Sequence, residues 1–283
     1  MGLPAKRVRP ALVLMGCELF RGKPDDALDE AIGIELFHNF TLLHDDIMDV
    51  APLRRGQPTV HAKWGVNSAI LSGDAMLVKA YQLMGQSADV LALFSAHALQ
   101  VCEGQQHDMD FERQEEVELR EYEEMIRLKT AALLSCALQV GAAIAGASVQ
   151  DRERIGAFGE HLGLAFQLRD DLLDAFGDAA KTGKQRGGDL RAGKKTWLLI
   201  RGMERSEEEG MSALFEELAA PPEKRNVERM LFALEELGIP AEVEAEVRRH
   251  DEAAVQALEG IDVPVPAKSP LAALAASLLE RAY

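Results

Sequence analysis

The chain has 283 residues, 47% of them apolar and 28% charged, a balance that supports a large buried core and excludes a disordered polymer. Its formal net charge of −16 argues against nucleic acid as a partner. The field of the whole chain would also oppose an anionic substrate, which would therefore need basic side chains and metal cations gathered locally.

Helical periodicity dominates, and no run alternates with period two for long enough to make a strand. The expected helices lie near 10–20, 26–49, 66–85, 89–111, 118–146, 150–176, 194–203, 207–219, 223–237, 241–259 and 270–282. Pro24, Pro52, Pro58, Pro221, Pro222, Pro240, Pro264 and Pro266 fall between them, as helix-ending residues should. The apolar run at 131–148 contains Ser135, Gln139 and many small residues, which reads as a buried central helix and not as a membrane span. Cys17, Cys102 and Cys136 sit in apolar helical contexts without metal-type spacing, so they read as buried thiols of a reducing, cytoplasmic compartment. No secretory signal, linker or fixed-period repeat is evident, and the chain reads as one domain over 1–283.

The second expected helix ends unusually. Asp45 and Asp49 are i and i+4, on one face, beside Leu42, Leu43, Ile47 and Met48. Two such charges about 6 Å apart repel by roughly 3 kcal/mol at an effective dielectric of about 20. A cation between them is therefore expected. The same DDxxD spacing returns at Asp170, Asp171 and Asp174, again among core-type residues (Phe166, Leu168, Leu172, Leu173, Phe176). One such cluster is commonly a solvated helix end; two copies embedded in apolar helices are not so easily explained. Six hard oxygen donors without a nearby thiolate, completed by a diphosphate, suit Mg2+. The connection at 177–195 mixes glycine with lysine and arginine, a composition suited to phosphate.

With these motifs in place, the sequence resembles the trans-isoprenyl diphosphate synthases, or polyprenyl synthetases. AKRVRP (5–10) is similar to that family's GKRxRP element, with Ala5 in place of its usual glycine. FHNFTLLHDDIMDVAPLRRGQPTVH (37–61) is similar to its first aspartate-rich region. EGQQHD (103–108), RLKTA (127–131), FQLRDDLLD (166–174) and GKQRGGDLRAGKKT (183–196) match later elements in order. The resemblance implies an all-α, single-domain helical bundle around a deep central cavity, usually a homodimer. The family's further N-terminal helix has no counterpart before AKRVRP in this sequence.

The implied reaction condenses isopentenyl diphosphate with an allylic diphosphate, with three Mg2+ ions. By resemblance, Asp45 and Asp49 hold two of them and Asp170 the third, with Asp174 in an outer role; Asp46 and Asp171 complete the metal set. Arg54, Lys129, Lys184 and Lys194 grip the allylic diphosphate, while Lys6, Arg9, His38 and Arg55 hold isopentenyl diphosphate. Gln105 and Asp108 orient the first metal cluster from behind. Lys129, Thr130 and Gln167 are the implied catalytic residues, the oxygens of the last two facing the allylic cation. Phe40, five residues before Asp45, followed by Thr41, resembles the floor of short-product members, geranylgeranyl or farnesyl diphosphate synthases; Phe37 one turn earlier is the alternative floor.

Two other readings fail on the motifs. A class I terpene cyclase would carry an NDxxSxxxE-like second motif, whereas this chain has DDLLD after FQLR. A carboxylate-bridged di-iron bundle needs paired Glu-x-x-His motifs, and Glu35-x-x-His38 has no partner.

Overall fold

The computed structural model describes residues 7–177 and 186–279. Helices carry it: α1 Val8–Leu19, α2 Leu28–Met48, α3 Val60–Trp64, α4 Val66–Met84, α5 Ala88–Phe111, α6 Leu119–Ile126, α7 Ala132–Ile144 and α8 Val149–Phe176 come first. They are followed by α9 Gly188–Ala192, α10 Trp197–Glu209, α11 Ala213–Ala219, α12 Val227–Glu236, α13 Ile239–Glu259 and α14 Val265–Leu279. The expected all-α class holds. Among the described residues the only sheet is a two-stranded hairpin, β1 Leu53–Arg54 against β2 Gln57–Pro58.

Local chemistry explains most boundaries. Asp29 and Glu30 sit in the first turn of α2, where the helix dipole favours negative charge. Glu118 and Glu121 close a reciprocal capping box at the start of α6. Thr196 caps α10 and Asn226 caps α12, each side chain accepting a backbone N–H. Two expectations are corrected here. Pro240 lies in the first turn of α13 and Pro266 in the first turn of α14, where a missing N–H costs nothing, instead of between helices. Val265–Leu279 forms one helix despite Pro270 inside it, so α14 begins earlier than expected.

The residues group into two compact units. One comprises the chain up to Ala98 with Leu133–Gly156 and Ile261–Lys268. In it α2 packs along α4 and α1 against α2, burying Leu12, Val13, Ile34, Phe37, Met84 and Phe94. Gly16 on α1 lies against the Leu138 carbonyl and Gly141 on α7 against the Val13 carbonyl, approaches that leave no room for a Cβ. The other unit comprises Leu99–Ala132, Ala157–Gly260 and the residues from Ser269. Its core unites Tyr122, Leu168, Leu172, Trp197, Leu234 and Val247.

The stretch Leu119–Ile144 is long and apolar enough to cross a membrane, but 78% of its apolar window is buried within the fold. Between α6 and α7 it carries one turn of π-helix, Arg127–Ala131. Cys17 and Cys136 are buried as expected; Cys102 is not, because it lies on an exposed face of α5.

Candidate active site

In the first unit, α2 presents its aspartates unequally. Asp46 is buried at 6% exposure, Asp45 is half-buried and Asp49 is exposed at the helix end. The chain then reverses through Val50 at φ 50°, a left-handed residue that closes the helix: Val50 N–H donates to the Ile47 carbonyl (3.2 Å) and Ala51 N–H to the Asp46 carbonyl (3.0 Å). The hairpin follows, turning on Arg55 (φ 52°) and Gly56 (φ 73°), the left-handed pair that a tight two-residue turn requires. Thr59 clamps its base by donating to the Ala51 carbonyl at 2.7 Å. The hairpin returns Arg54 to the helix end, where Nε donates to Asp46 at 2.7 Å and Nη2 to Asp45 at 3.2 Å. Arg54 thus bridges Asp45 and Asp46, not the Asp45–Asp49 pair for which a cation was expected.

About two helical turns upstream of Asp45, a basic cluster forms. Arg9 Nη1 lies 3.2 Å from His38 Nε2. Burial pushes His38 down to about 2, and Arg9, Arg55 and Arg54 push it the same way, so the ring is neutral and Nε2 accepts from Arg9. Burial also pulls the Arg9 guanidinium down to about 10, against the opposing charge of Glu35. Arg9 Nε is buried and makes no hydrogen bond among the described residues. Arg7, just before α1, pairs with Glu35 at 3.3 Å. Lys6 lies outside the described residues.

Phe40 and Phe37 belong to one aromatic stack in this unit. Phe40 meets Phe37 at 5.5 Å between ring centroids and His44 at 4.7 Å, and Phe37 in turn meets Phe94 edge-on at 5.2 Å. Phe40 is 9% exposed and Phe37 1%, so Phe40 is the more open of the two rings. Thr41 is half-buried and donates to the His38 carbonyl at 2.8 Å.

In the second unit, α8 repeats the unequal presentation. Asp171 is buried at 5% exposure, while Asp170 and Asp174 are half-buried. Tyr122 from α6 donates to Asp171 Oδ2, and Gln167 Nε2 donates to Asp171 Oδ1 at 3.1 Å. The Thr130 hydroxyl donates to Gln167 Oε1 at 3.1 Å. Asp174 Oδ2 accepts the Asp189 N–H at 2.9 Å, tying the motif to the first turn of α9.

Lys129 and Thr130 project from the π-helical turn, whose extra residue re-aims side chains relative to an α-helix. Gly104 on α5 backs that turn; a Cβ there would collide with the Lys129 amide. Lys129 Nζ lies 2.5 Å from Asp108 Oδ2 and Lys194 Nζ 3.9 Å from the same oxygen. Burial raises the Asp108 carboxyl, but Lys194 and Lys129 outweigh it and hold the group below its ordinary value. Asp108, expected behind the first metal cluster, is thus paired with the two lysines assigned to the allylic diphosphate. Gln105 is half-buried on the same helix, α5. Lys195 donates to the Phe111 and Gln114 carbonyls, both at 2.6 Å, so it anchors this segment to the end of α5 while Lys194 faces Asp108. Lys184 lies outside the described residues.

Tyr122 and Lys195 were missed by sequence reasoning. Tyr122 stands in the acidic run REYEEM, which gives no sign of burial, and Lys195 looks equivalent to Lys194.

The donor set fits Mg2+. Among the described residues no three His, Cys, Asp or Glu side chains form a ready metal cage. Mg2+ does not need one, because it keeps several waters and takes one or two carboxylates together with substrate phosphates. Half-buried Asp45 and Asp170 and exposed Asp49, on helices that also carry a buried aspartate, are donors of that kind.

The sequence profile of the polyprenyl synthetase family, described as "Polyprenyl synthetase", matches residues 1–237. The chain belongs to that family. It is therefore a prenyltransferase of the isoprenyl diphosphate synthase kind. It is 37% identical over 284 aligned residues to the short chain isoprenyl diphosphate synthase of Methanothermobacter thermautotrophicus, covering 98% of this chain and 87% of the relative. Its fold is similar to a crystal structure of geranylgeranyl pyrophosphate synthase, with 42% identity and a TM-score of 0.94 over 100% of this chain and 89% of the other. It is also similar to geranylgeranyl pyrophosphate synthase from Corynebacterium glutamicum complexed with isoprenyl diphosphate and magnesium (32% identity, TM-score 0.88, 99% and 87% covered). These likenesses extend the prenyltransferase assignment to the whole chain.

Proposed function

We propose that this synthetase condenses isopentenyl diphosphate with an allylic diphosphate, head to tail and trans, with three Mg2+ ions, releasing diphosphate. The product is a short-chain polyprenyl diphosphate, geranylgeranyl or farnesyl. The observation that carries the reading is the unequal presentation of both motifs: Asp46 and Asp171 are buried, while Asp45 and Asp170 are half-buried and Asp49 is exposed.

Bound Mg2+ would supply Lewis-acid neutralisation of the departing diphosphate. Asp45, Asp49 and Asp170 would hold the ions, with Asp174 supporting from outside. Lys129, Lys194, Lys184 and Arg54 would bind the allylic diphosphate. The Asp108 carboxylate keeps Lys129 and Lys194 together before substrate arrives, so their alignment need not be gained at the moment of reaction. Arg9, His38, Arg55 and Lys6 would hold isopentenyl diphosphate; the unpartnered Arg9 Nε is a donor available to it. As the bond from carbon 1 to the diphosphate breaks, Thr130 and Gln167 would turn oxygens toward the cation without being nucleophilic enough to capture it. The departing diphosphate would take the final proton.

Phe40 would close the tail channel. A homodimer is supported by the apolar face of α4, where Val66, Ile70, Leu71 and Val78 are exposed. The buried thiols Cys17 and Cys136 fit a cytoplasmic enzyme.

The test is incubation with isopentenyl diphosphate and each short allylic diphosphate in turn, with and without Mg2+, followed by chromatography. Geranylgeranyl or farnesyl diphosphate formed only with Mg2+ supports the reading. A cyclic hydrocarbon product, or chain growth without divalent cation, overturns it.

A further inference from the structure

The segment that leads into Lys194 is short and tied down at both ends. α9, Gly188–Ala192, is little more than one turn, too short to hold its shape alone. Its start is fixed to α8: Gly187 N–H donates to the Asp174 carbonyl at 2.7 Å and Asp189 N–H to Asp174 Oδ2 at 2.9 Å. Its end closes on Gly193 at φ 74°, with Gly193 N–H on the Leu190 carbonyl (3.1 Å) and Lys194 N–H on the Asp189 carbonyl (2.9 Å). The direction in which the chain leaves this turn sets where Lys194 starts from.

Arg225, just before α12, grips that end. Its Nη1 donates to the Arg191 carbonyl at 2.8 Å, Nε to the Ala220 carbonyl at 3.0 Å and Nη2 to the Leu218 carbonyl at 3.1 Å. Leu218 and Ala220 lie at the end of α11, so one guanidinium ties α9 to α11. Carbonyls at a helix end lack a partner in their own helix, and a planar fork with five donors can span three of them. Nη1 also lies 2.6 Å from where a Cβ on Gly193 would stand, so the guanidinium fills the space beside that glycine. Downstream, Lys195 holds the Phe111 and Gln114 carbonyls. Between these two anchors Lys194 Nζ comes within 3.9 Å of Asp108.

We infer that Arg225 is a positioning residue for prenyl transfer: by holding the Arg191 carbonyl it fixes the end of α9, and with it the path of Lys194 toward the allylic diphosphate. This rests on the prenyl transfer and the lysine assignment proposed above. Arg225 acts through Lys194, so its loss costs only what a misplaced Lys194 costs. Lys195 still holds the other side, which keeps that cost below outright loss of the lysine.

The experiment is a cycle of wild type, Arg225→Ala, Lys194→Ala and the double variant. It is read as kcat/KM for the allylic diphosphate and KM for isopentenyl diphosphate. Arg225→Ala should lower the allylic kcat/KM about fivefold or more and leave KM for isopentenyl diphosphate within about twofold of wild type. In the Lys194→Ala background the same change should cost less than about twofold, because the side chain it positions is gone. Equal losses in the two backgrounds, or equal KM rises for the two substrates, would make Arg225 a general scaffold residue and overturn the inference. Arg225→Lys keeps the charge but cannot span three carbonyls, and it takes the same place in the cycle if circular dichroism shows Arg225→Ala unfolded. Calorimetric affinity for a non-hydrolysable geranyl bisphosphonate with Mg2+ repeats the cycle without turnover. The same non-additive pattern is expected there, and independent losses overturn the inference. The clamp is therefore tested even if wild type transfers no prenyl group, an outcome that would overturn the proposed function itself.

Discussion

Arg54 Nε donates to Asp46 at 2.7 Å, joining a hairpin turn to the buried aspartate of the first motif. The guanidinium also reaches Asp45 at 3.2 Å, so one side chain braces the carboxylates and lies where a diphosphate would meet them. Arg54→Lys keeps the charge but loses the fork that spans two carboxylates. It is expected to raise KM for the allylic diphosphate by about tenfold, with a smaller change for isopentenyl diphosphate. Steady-state kinetics with each substrate varied in turn measure both.

Arg55 occupies the left-handed position next to it and faces a different task. With Arg9 and His38 it is assigned to isopentenyl diphosphate, so Arg55→Ala should raise KM for that substrate far more than for the allylic one. Equal rises would show that the two binding sites are not divided in this way.

Phe40→Ala should lengthen the product by one or more isoprene units. The stack limits the gain, because Phe37 lies 5.5 Å beyond Phe40 and Phe94 5.2 Å beyond Phe37. Removing a buried ring costs about 3 to 5 kcal/mol, so the variant's folding must be checked by circular dichroism first. A folded, active variant with an unchanged product distribution would show that Phe40 is not the floor.

Val50 is a β-branched residue at φ 50°, a conformation that costs about 1–2 kcal/mol in a non-glycine residue. Val50→Gly removes that strain and gives back part of it as unfolded-chain entropy. A net gain of about 1 kcal/mol is expected, seen as a melting midpoint raised by roughly 2 °C. An unchanged or lower midpoint would show that the turn is not strained.

The His161–His250 pair predicts acid sensitivity. Arg249 can only donate, so His250 Nε2 accepts from it at 3.1 Å and the His250 proton sits on Nδ1, donated to His161 Nδ1 at 3.0 Å. Burial, then Arg249 and His161, push His250 down to about 4. Its folded value lies below the unfolded one, so the unfolded chain binds protons first as pH falls. This contribution, about 3 kcal/mol in all, is present above pH of about 6.5 and is lost as pH falls through about 4. His250→Gln should therefore lose less thermal stability than wild type between neutral pH and about pH 5. Parallel losses in the two proteins would remove the pair as the cause.

Much of this architecture was legible because helical periodicity survives substitution: the ends of α2, α4, α5 and α8 fall within a few residues of expectation. The aspartate motifs stood out as candidates because a charge pair among leucines has no cheap structural explanation. The hairpin was not, since strands of two residues are too short to show alternation. Nor was the π-turn, because one extra residue barely disturbs an apolar run such as Ala131–Ile144. Tyr122 escaped for a tertiary reason: its burial depends on Asp171, 49 positions away.

The central claim is that aspartates of both motifs bring Mg2+ to a departing diphosphate. It is tested most directly by prenyl transfer rates for wild type, Asp45→Ala and Asp170→Ala, each titrated with Mg2+ at saturating diphosphates. The account predicts no transfer without Mg2+ and a fall of about a hundredfold or more in each variant, since each loses a donor from a charge-separating step. Near-normal turnover in either variant would contradict it.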